Sequence, residues 1–192
     1  MIIGITGGSG SGKTTLLKLL EQHGALVLDC DAIYHRLLET DRQMLCAIGA
    51  RFPGTVERGV LQRKKLGAIV FADPQALLDL NSITHAAVRK EVLRQLETAP
   101  KITAIDAIGL FEGGLAELCD MTVAVTAPRE DRIRRLMARD GISREYAENR
   151  INAQHPDGWF REKCGHILEN DGDMDAFATK CVAFLRRFSI IE

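Results

Sequence analysis

The chain has 192 residues, 46% of them hydrophobic and 27% charged, with a net charge of −1. That balance suits one soluble domain large enough to bury its own core, and it gives no general pull toward nucleic acid or an anionic membrane. No apolar run approaches the length that spans a bilayer, and the first residues read as a core strand instead of a signal peptide.

Ile2, Ile3 and Ile5 make a β-branched run that predicts a buried strand over 2–6. It leads into Gly7-Gly-Ser-Gly-Ser-Gly-Lys-Thr14, which fits Gly-x-x-x-x-Gly-Lys-[Ser/Thr] through Gly7, Gly12, Lys13 and Thr14. A helix is expected over 13–22, with Leu16, Leu17, Leu19 and Leu20 on one stripe and Gly24 as its left-handed cap. In such a strand–loop–helix unit, backbone N–H groups and the helix N-terminus face a phosphate. Lys13 would reach the β- and γ-phosphates and the Thr14 hydroxyl would ligate Mg²⁺. The full pattern in this context outweighs a flexible Gly/Ser turn, and the glycine spacing does not fit a dinucleotide site. A nucleoside triphosphate is implied, but GTPases, transport ATPases and small-molecule kinases all share this loop, so the acceptor stays open.

The next strand, 25–28, runs into Asp29-Cys-Asp31. Ligands of open parallel sheets bind beyond the carboxyl ends of the strands, so both aspartates are expected near the γ-phosphate. One carboxylate can take the proton of an attacking hydroxyl and another can fix Mg²⁺ through water. Either could instead cap a helix over 32–39. Cys30 between them reads as a small buried hydrophobe. The five cysteines are scattered and lack C-x-x-C spacing, which fits a reduced cytoplasm better than a disulfide framework or a zinc site. From Ile33 to Ala99 the pattern is helix and loop, with helices near 42–51, 62–71, 75–80 and 82–97. An insert of that size between two strands suits a platform for a second substrate.

Strands follow at 102–105 and 121–126, then an arginine-rich helix over 129–139. Arg132, Arg135 and Arg139 share one stripe of it, beside Ile133, Leu136 and Met137. Such guanidiniums can neutralise a triphosphate, or they can form a solvated face paired with Glu130, Asp131 and Glu145. The charged stretch 140–165, with a helix over 143–153, is a candidate mobile lid. A strand at 166–168 and a helix over 174–187 complete the chain. Alternating strands and helices predict an α/β domain with a parallel sheet, five strands being expected.

Taken together, the motifs resemble bacterial dephospho-CoA kinases along nearly the whole chain. Leu28-Asp-Cys-Asp-Ala32 resembles that family's DAD element. The segment Gly59 to Phe71 is similar to its G-x-L-x-R-x-x-L-x-x-x-V-F signature, and Leu80 to His85 to its LN-x-I-x-H run. Leu110-Phe-Glu112 resembles the end of its PLLFE segment. Arg135 to Arg139 and Arg150 to Gln154 resemble its R-L-x-x-R and R-I-x-x-Q elements, and Ile167 to Asn170 with Gly172 its closing I-x-N-x-G. In departure, Ala86 stands where proline is usual, Ile108 and Gly109 replace Pro-Leu of PLLFE, and Arg132 stands where glutamine is common.

The resemblance implies a P-loop NTPase three-layer sandwich with three parts: a nucleotide-binding core (about 1–31 and 101–192), a helical CoA-binding insert (about 32–100) and a lid (about 140–165). It implies transfer of phosphate from ATP to the ribose 3′-hydroxyl of dephospho-CoA, the last step of CoA synthesis, in a cytoplasmic enzyme expected to be a monomer. Carried onto this chain, Gly10, Ser11, Gly12, Lys13, Thr14 and Thr15 hold the ATP phosphates and Thr14 binds Mg²⁺. Asp31 is the base, Lys13 and Arg139 stabilise the transferring phosphate, and Asn170 lies near the adenine. Asp29, Asn81, His85 and Glu112 are candidate substrate residues; a cap, a structural hydrogen bond or an arginine pair are the competing roles of Asn81, His85 and Glu112. Trp159 and Phe160 read as packing.

The alternative is another P-loop small-molecule kinase, of the uridine or nucleoside monophosphate type, against which the segments downstream of the loop stand. A nucleotide-driven switch is less apt. It would carry Asn-Lys-x-Asp or a strand ending in Asp-Glu, and Ile102 to Asp106, the nearest approach, lacks the glutamate.

Overall fold

The computed structural model describes residues 1–191. β1 (Ile2–Thr6) passes through the glycine loop into α1 (Lys13–Gln22), and β2 (Leu26–Asp29) passes directly into α2 (Cys30–Thr40). The insert continues with α3 (Arg42–Arg51), a small antiparallel hairpin of β3 (Val56–Glu57) and β4 (Val60–Leu61), α4 (Arg63–Val70) and α5 (Pro74–Leu96). β5 (Thr103–Asp106) and β6 (Met121–Thr126) return to the sheet. Then come α6 (Arg129–Asp140), α7 (Arg144–Asn152), α8 (Asp157–Lys163), β7 (His166–Glu169) and α9 (Met174–Arg187).

Five strands form one parallel sheet in the order β2-β5-β1-β6-β7. Such sheets are covered on both faces, which explains why Ile3, Ile5, Ala104, Ile105, Val123 and Val125 are almost wholly buried. One face packs on α1 and α9 through Leu16, Leu20, Phe177, Cys181 and Leu185. On the other face, Leu28, Ile105 and Leu110 continue without a break into Ile33, Met44, Ile48, Phe52, Leu66, Leu80 and Val88 of the insert. The insert therefore shares the sheet's core. α6 and α7, by contrast, make a small cluster of their own from Ile133, Leu136, Ala147 and Ile151.

The five strands and the three-layer α/β class agree with the sequence expectation; three local features differ. The helices expected at 75–80 and 82–97 are one helix, α5, because Ala76, Leu80, Thr84, Val88 and Val92 bury one continuous stripe with a repeat of four. Asn81 is thus no cap but lies mid-helix; the cap is Asp73, whose Oδ1 accepts from Gln75 N at 2.9 Å ahead of Pro74. The hairpin, whose turn places Arg58 and Gly59 at positive φ, lies in a stretch too short to show strand periodicity. α8 is held by tertiary contact, Phe160 packing on Ala124 of β6.

Candidate active site

The glycine loop leaves the carboxyl end of β1, with β5 on one side and β6 on the other, the position where an open sheet binds ligands. Gly12 must be glycine: its φ is 104°, and a Cβ there would lie 2.3 Å from Asn170 Nδ2. The loop surrounds one end of a cavity of about 670 Å³, walled by Gly10, Ser11, Gly12, Lys13 and Thr14 and closed by Asp31, Asp106, Arg135, Arg139 and Arg150. Lys13 Nζ donates to Gly7 O at 3.1 Å. Burial pulls Lys13 below the usual lysine range, with the charges of Asp106 and Asp31 opposing. Thr15 lies outside this wall, its N–H bonded to Gly12 O at 3.1 Å.

A second cavity, of about 240 Å³, adjoins the first and is lined by Tyr34, Asn81, His85 and Val88 together with Ala107, Ile108 and Gly109. Asp31 and Ile108 line both. Asp31 is exposed and makes no hydrogen bond or ion pair among the described residues. Asp29, expected beside it, lines neither cavity; its Oδ1 accepts from Ala32 N at 2.9 Å and caps α2. Residues two apart share a face only on a strand, and the chain turns helical at Cys30, so the two carboxylates part.

Asn81 and His85, one turn apart on α5, both line the second cavity, and His85 has no hydrogen bond among the described residues. Glu112, a candidate substrate residue with an arginine pair as its competing role, meets a histidine instead: His155 Nε2 lies 2.6 Å from its Oε1. His155 also stacks on Trp159, rings 3.9 Å apart, while Trp159 meets Phe111 edge-on and Phe160 is buried; both aromatic residues pack as expected. A Cβ at Gly109 would lie 3.7 Å from Glu112 Oε2 and 3.9 Å from His85 Nε2, so this departure from the family pattern opens space beside both.

The arginine stripe does not act as one surface. Arg139 faces the nucleotide cavity while held by Asp140, Nε to Oδ1 2.6 Å and Nη2 to Oδ2 2.9 Å. Arg135 reaches the loop's Gly10 and Ser11 carbonyls at 3.3 and 3.4 Å, and Arg132 is buried behind the loop. Asn170 is buried too: Nδ2 donates to Ser11 O at 2.8 Å and Oδ1 accepts from Arg135 at 3.2 Å. Its side chain holds the phosphate loop from behind.

Sequence reasoning missed Asp106 as a site residue, although it ends an apolar strand like the one before Asp29. In the sheet it pairs in register with Ile5 and Asp29. Its Oδ1 is buried with no hydrogen-bond partner among the described residues. Burial pushes the Asp106 carboxyl up to about 6; Lys13 pulls against this, and Asp29 and Asp31 add to it. An unpartnered carboxylate oxygen beside Lys13, with the exposed Thr14 hydroxyl on the same cavity wall, is a hard-oxygen set suited to Mg²⁺. Gln154 and Ser9 were missed as well, because their contact joins positions 145 apart with no local pattern.

No helix among the described residues is long and apolar enough to cross a membrane. A family model described as dephospho-CoA kinase matches residues 1–176. A dephospho-CoA kinase of Corynebacterium diphtheriae is 34% identical over 194 residues, covering 98% of this chain and 97% of its own. A crystal structure from Thermus thermophilus is 37% identical with a TM-score of 0.81, covering 97% of each chain. The dephospho-CoA kinase structure from Campylobacter jejuni is 26% identical with a TM-score of 0.70, covering 98% of this chain and 96% of its own. With a complete phosphate loop, a second cavity reached from it and agreement along almost its whole length, the chain belongs to the dephospho-CoA kinase family.

Proposed function

We propose that the chain transfers the γ-phosphoryl group of ATP to the ribose 3′-hydroxyl of dephospho-CoA, giving ADP and CoA. The observation that carries this reading is Asp31, which lines both the nucleotide cavity and the cavity beside it. A hydroxyl presented from the second cavity would meet the phosphate at that carboxylate. As the hydroxyl oxygen bonds to phosphorus and the bond to the ADP oxygen breaks, Asp31 takes the hydroxyl proton. Lys13 and Arg139 would balance charge on the transferring group, and the backbone from Gly10 to Thr14 would cradle the β-phosphate. Thr14 and Asp106 would hold Mg²⁺, which when bound neutralises and orients the phosphates.

Asn81 and His85 would meet the acceptor, and the insert (about 32–100) would be its platform. Within the proposed lid of about 140–165, α7 supports the reading, since it packs with α6 in a core separate from that of the sheet, whereas α8 at its far end is anchored to β6 through Phe160 and Ala124. In this reading Glu112 organises the lid's far end through His155 and does not touch the acceptor. Asn170 serves the nucleotide through the loop. A monomer in the cytoplasm completes the reading.

The test is ADP release with Mg·ATP across dephospho-CoA, uridine, AMP, CMP and no acceptor, with products weighed by mass spectrometry. One phosphate added to dephospho-CoA alone is expected. Turnover confined to uridine or a nucleotide would overturn it.

A further inference from the structure

Arg132 lies on a helix otherwise rich in exposed charge, yet it is only 5% exposed and burial lowers its pKa. Its Nε donates to Ser9 O at 3.0 Å and its Nη2 to Gln154 Oε1 at 3.1 Å, while Asp157 lies 3.5 Å from Nη1. Gln154 grips the same residue of the loop twice: Oε1 accepts from Ser9 N at 2.9 Å and Nε2 donates to Ser9 Oγ at 2.9 Å. Every polar group of Ser9 is thereby held from outside the loop. The next two carbonyls are held likewise, Gly10 O by Arg135 and Ser11 O by Arg135 and Asn170.

The loop leaves room for this arrangement. Gly8 occupies a position at which the phosphate-loop pattern accepts any residue, but a Cβ there would lie 2.0 Å from Arg132 Nη2. Ser9 N–H and Ser11 N–H are already engaged by Gln154 and Gly8 O, and three consecutive carbonyls drawn toward donors on α6 and at the end of β7 leave the loop's remaining N–H groups to turn inward, as an anion cradle needs. A loop free of these ties would have to order itself when nucleotide binds, and the entropy of ordering would subtract from affinity.

We propose that buried Arg132 and half-buried Gln154 form a strut that pre-organises the phosphate loop through Ser9. Arg132 is thus a positioning residue for ATP, with no phosphate contact of its own. The proposal is independent of which acceptor is phosphorylated, because its primary readout is nucleotide binding alone.

The experiment uses the full chain with Arg132→Gln, Gln154→Leu, the double variant and Gly8→Ala. ATP affinity is measured by calorimetry without acceptor, KM for each substrate by steady-state kinetics, and Tm by thermal unfolding. A hydrogen bond to a charged group lost from a buried site predicts ATP affinity reduced about tenfold or more in each single variant. KM for the acceptor should stay within about twofold, since the acceptor cavity shares no residue with the strut. The double variant should be no worse than the poorer single, because both break one unit. Arg132→Lys keeps a cation at Ser9 O and should bind ATP with intermediate affinity, which covers the case that Arg132→Gln fails to fold. Unchanged ATP affinity in folded variants, or losses that multiply in the double variant, would overturn the strut.

Discussion

Asp29 and Asp31 stand two residues apart and do different things. Asp29 closes the first turn of α2 through Ala32 N at 2.9 Å, while Asp31, in that same turn, has no hydrogen bond or ion pair among the described residues and opens onto two cavities. The cap fixes the direction of the helix and so the aim of the free carboxylate.

Replacing Asp31 by Asn keeps shape and removes the proton acceptor. Phosphoryl transfer should fall about a hundredfold or more, the usual worth of a positioned base. ATP affinity measured by calorimetry should stay within a few-fold. Transfer at the parental rate would remove Asp31 from the chemistry.

At Asp29, Asn and Ala substitutions separate capping from catalysis. Asn is an equally good cap, so Asp29→Asn should leave stability and transfer near parental values. Asp29→Ala should cost about 1 kcal/mol in chemical denaturation, with a lower rate because Asp31 loses its support. A large rate loss in Asp29→Asn would mean the charge itself takes part.

Asp106 makes a prediction about pH. Its folded pKa, about 6, lies above the ordinary aspartate value, so the folded apo protein binds the proton more tightly than the unfolded chain. The stabilisation is fully present below the ordinary value and is lost as pH rises through about 6. Asp106→Asn should therefore be the more stable apo protein at pH 7, by about 1–3 kcal/mol, with the gap to the parent closing toward pH 4. Its activity should nonetheless fall, and the parent's activity should decline only at a pH below the apo value of about 6, because Mg²⁺ at Asp106 would compete with the proton. Denaturant curves at several pH values check the first part, and pH–rate profiles of both proteins the second.

The acceptor side is tested on α5. Asn81→Leu and His85→Ala alter the second cavity but no residue of the nucleotide cavity. Each should raise KM for dephospho-CoA about tenfold, the worth of a lost polar contact, with ATP affinity unchanged. Equal loss toward both substrates would place these side chains in the packing of α5 instead.

The sequence by itself determined the sheet, the nucleotide and the family, because these rest on local patterns. β-branched runs, the Gly-x-x-x-x-Gly-Lys-Thr loop and Leu stripes follow from the geometry of one strand or one helix and can be seen in ten or twenty consecutive residues. It also named Lys13, Thr14, Asp31 and Arg139, all of which line the nucleotide cavity, and Asn81 and His85, which line the second. Tertiary structure decided what each neighbouring charge is for. Asp29 and Asp31, or Arg132, Arg135 and Arg139, are alike as residue types, and their different tasks depend on where β2 becomes α2 and on how deeply α6 packs against the loop. Asp106 gained its unpaired carboxylate only when β5 was placed between β2 and β1, and Gln154 found Ser9 only when α7 folded back on α6. Burial and hydrogen bonding are properties of the assembled neighbours, and no periodicity along the chain carries them.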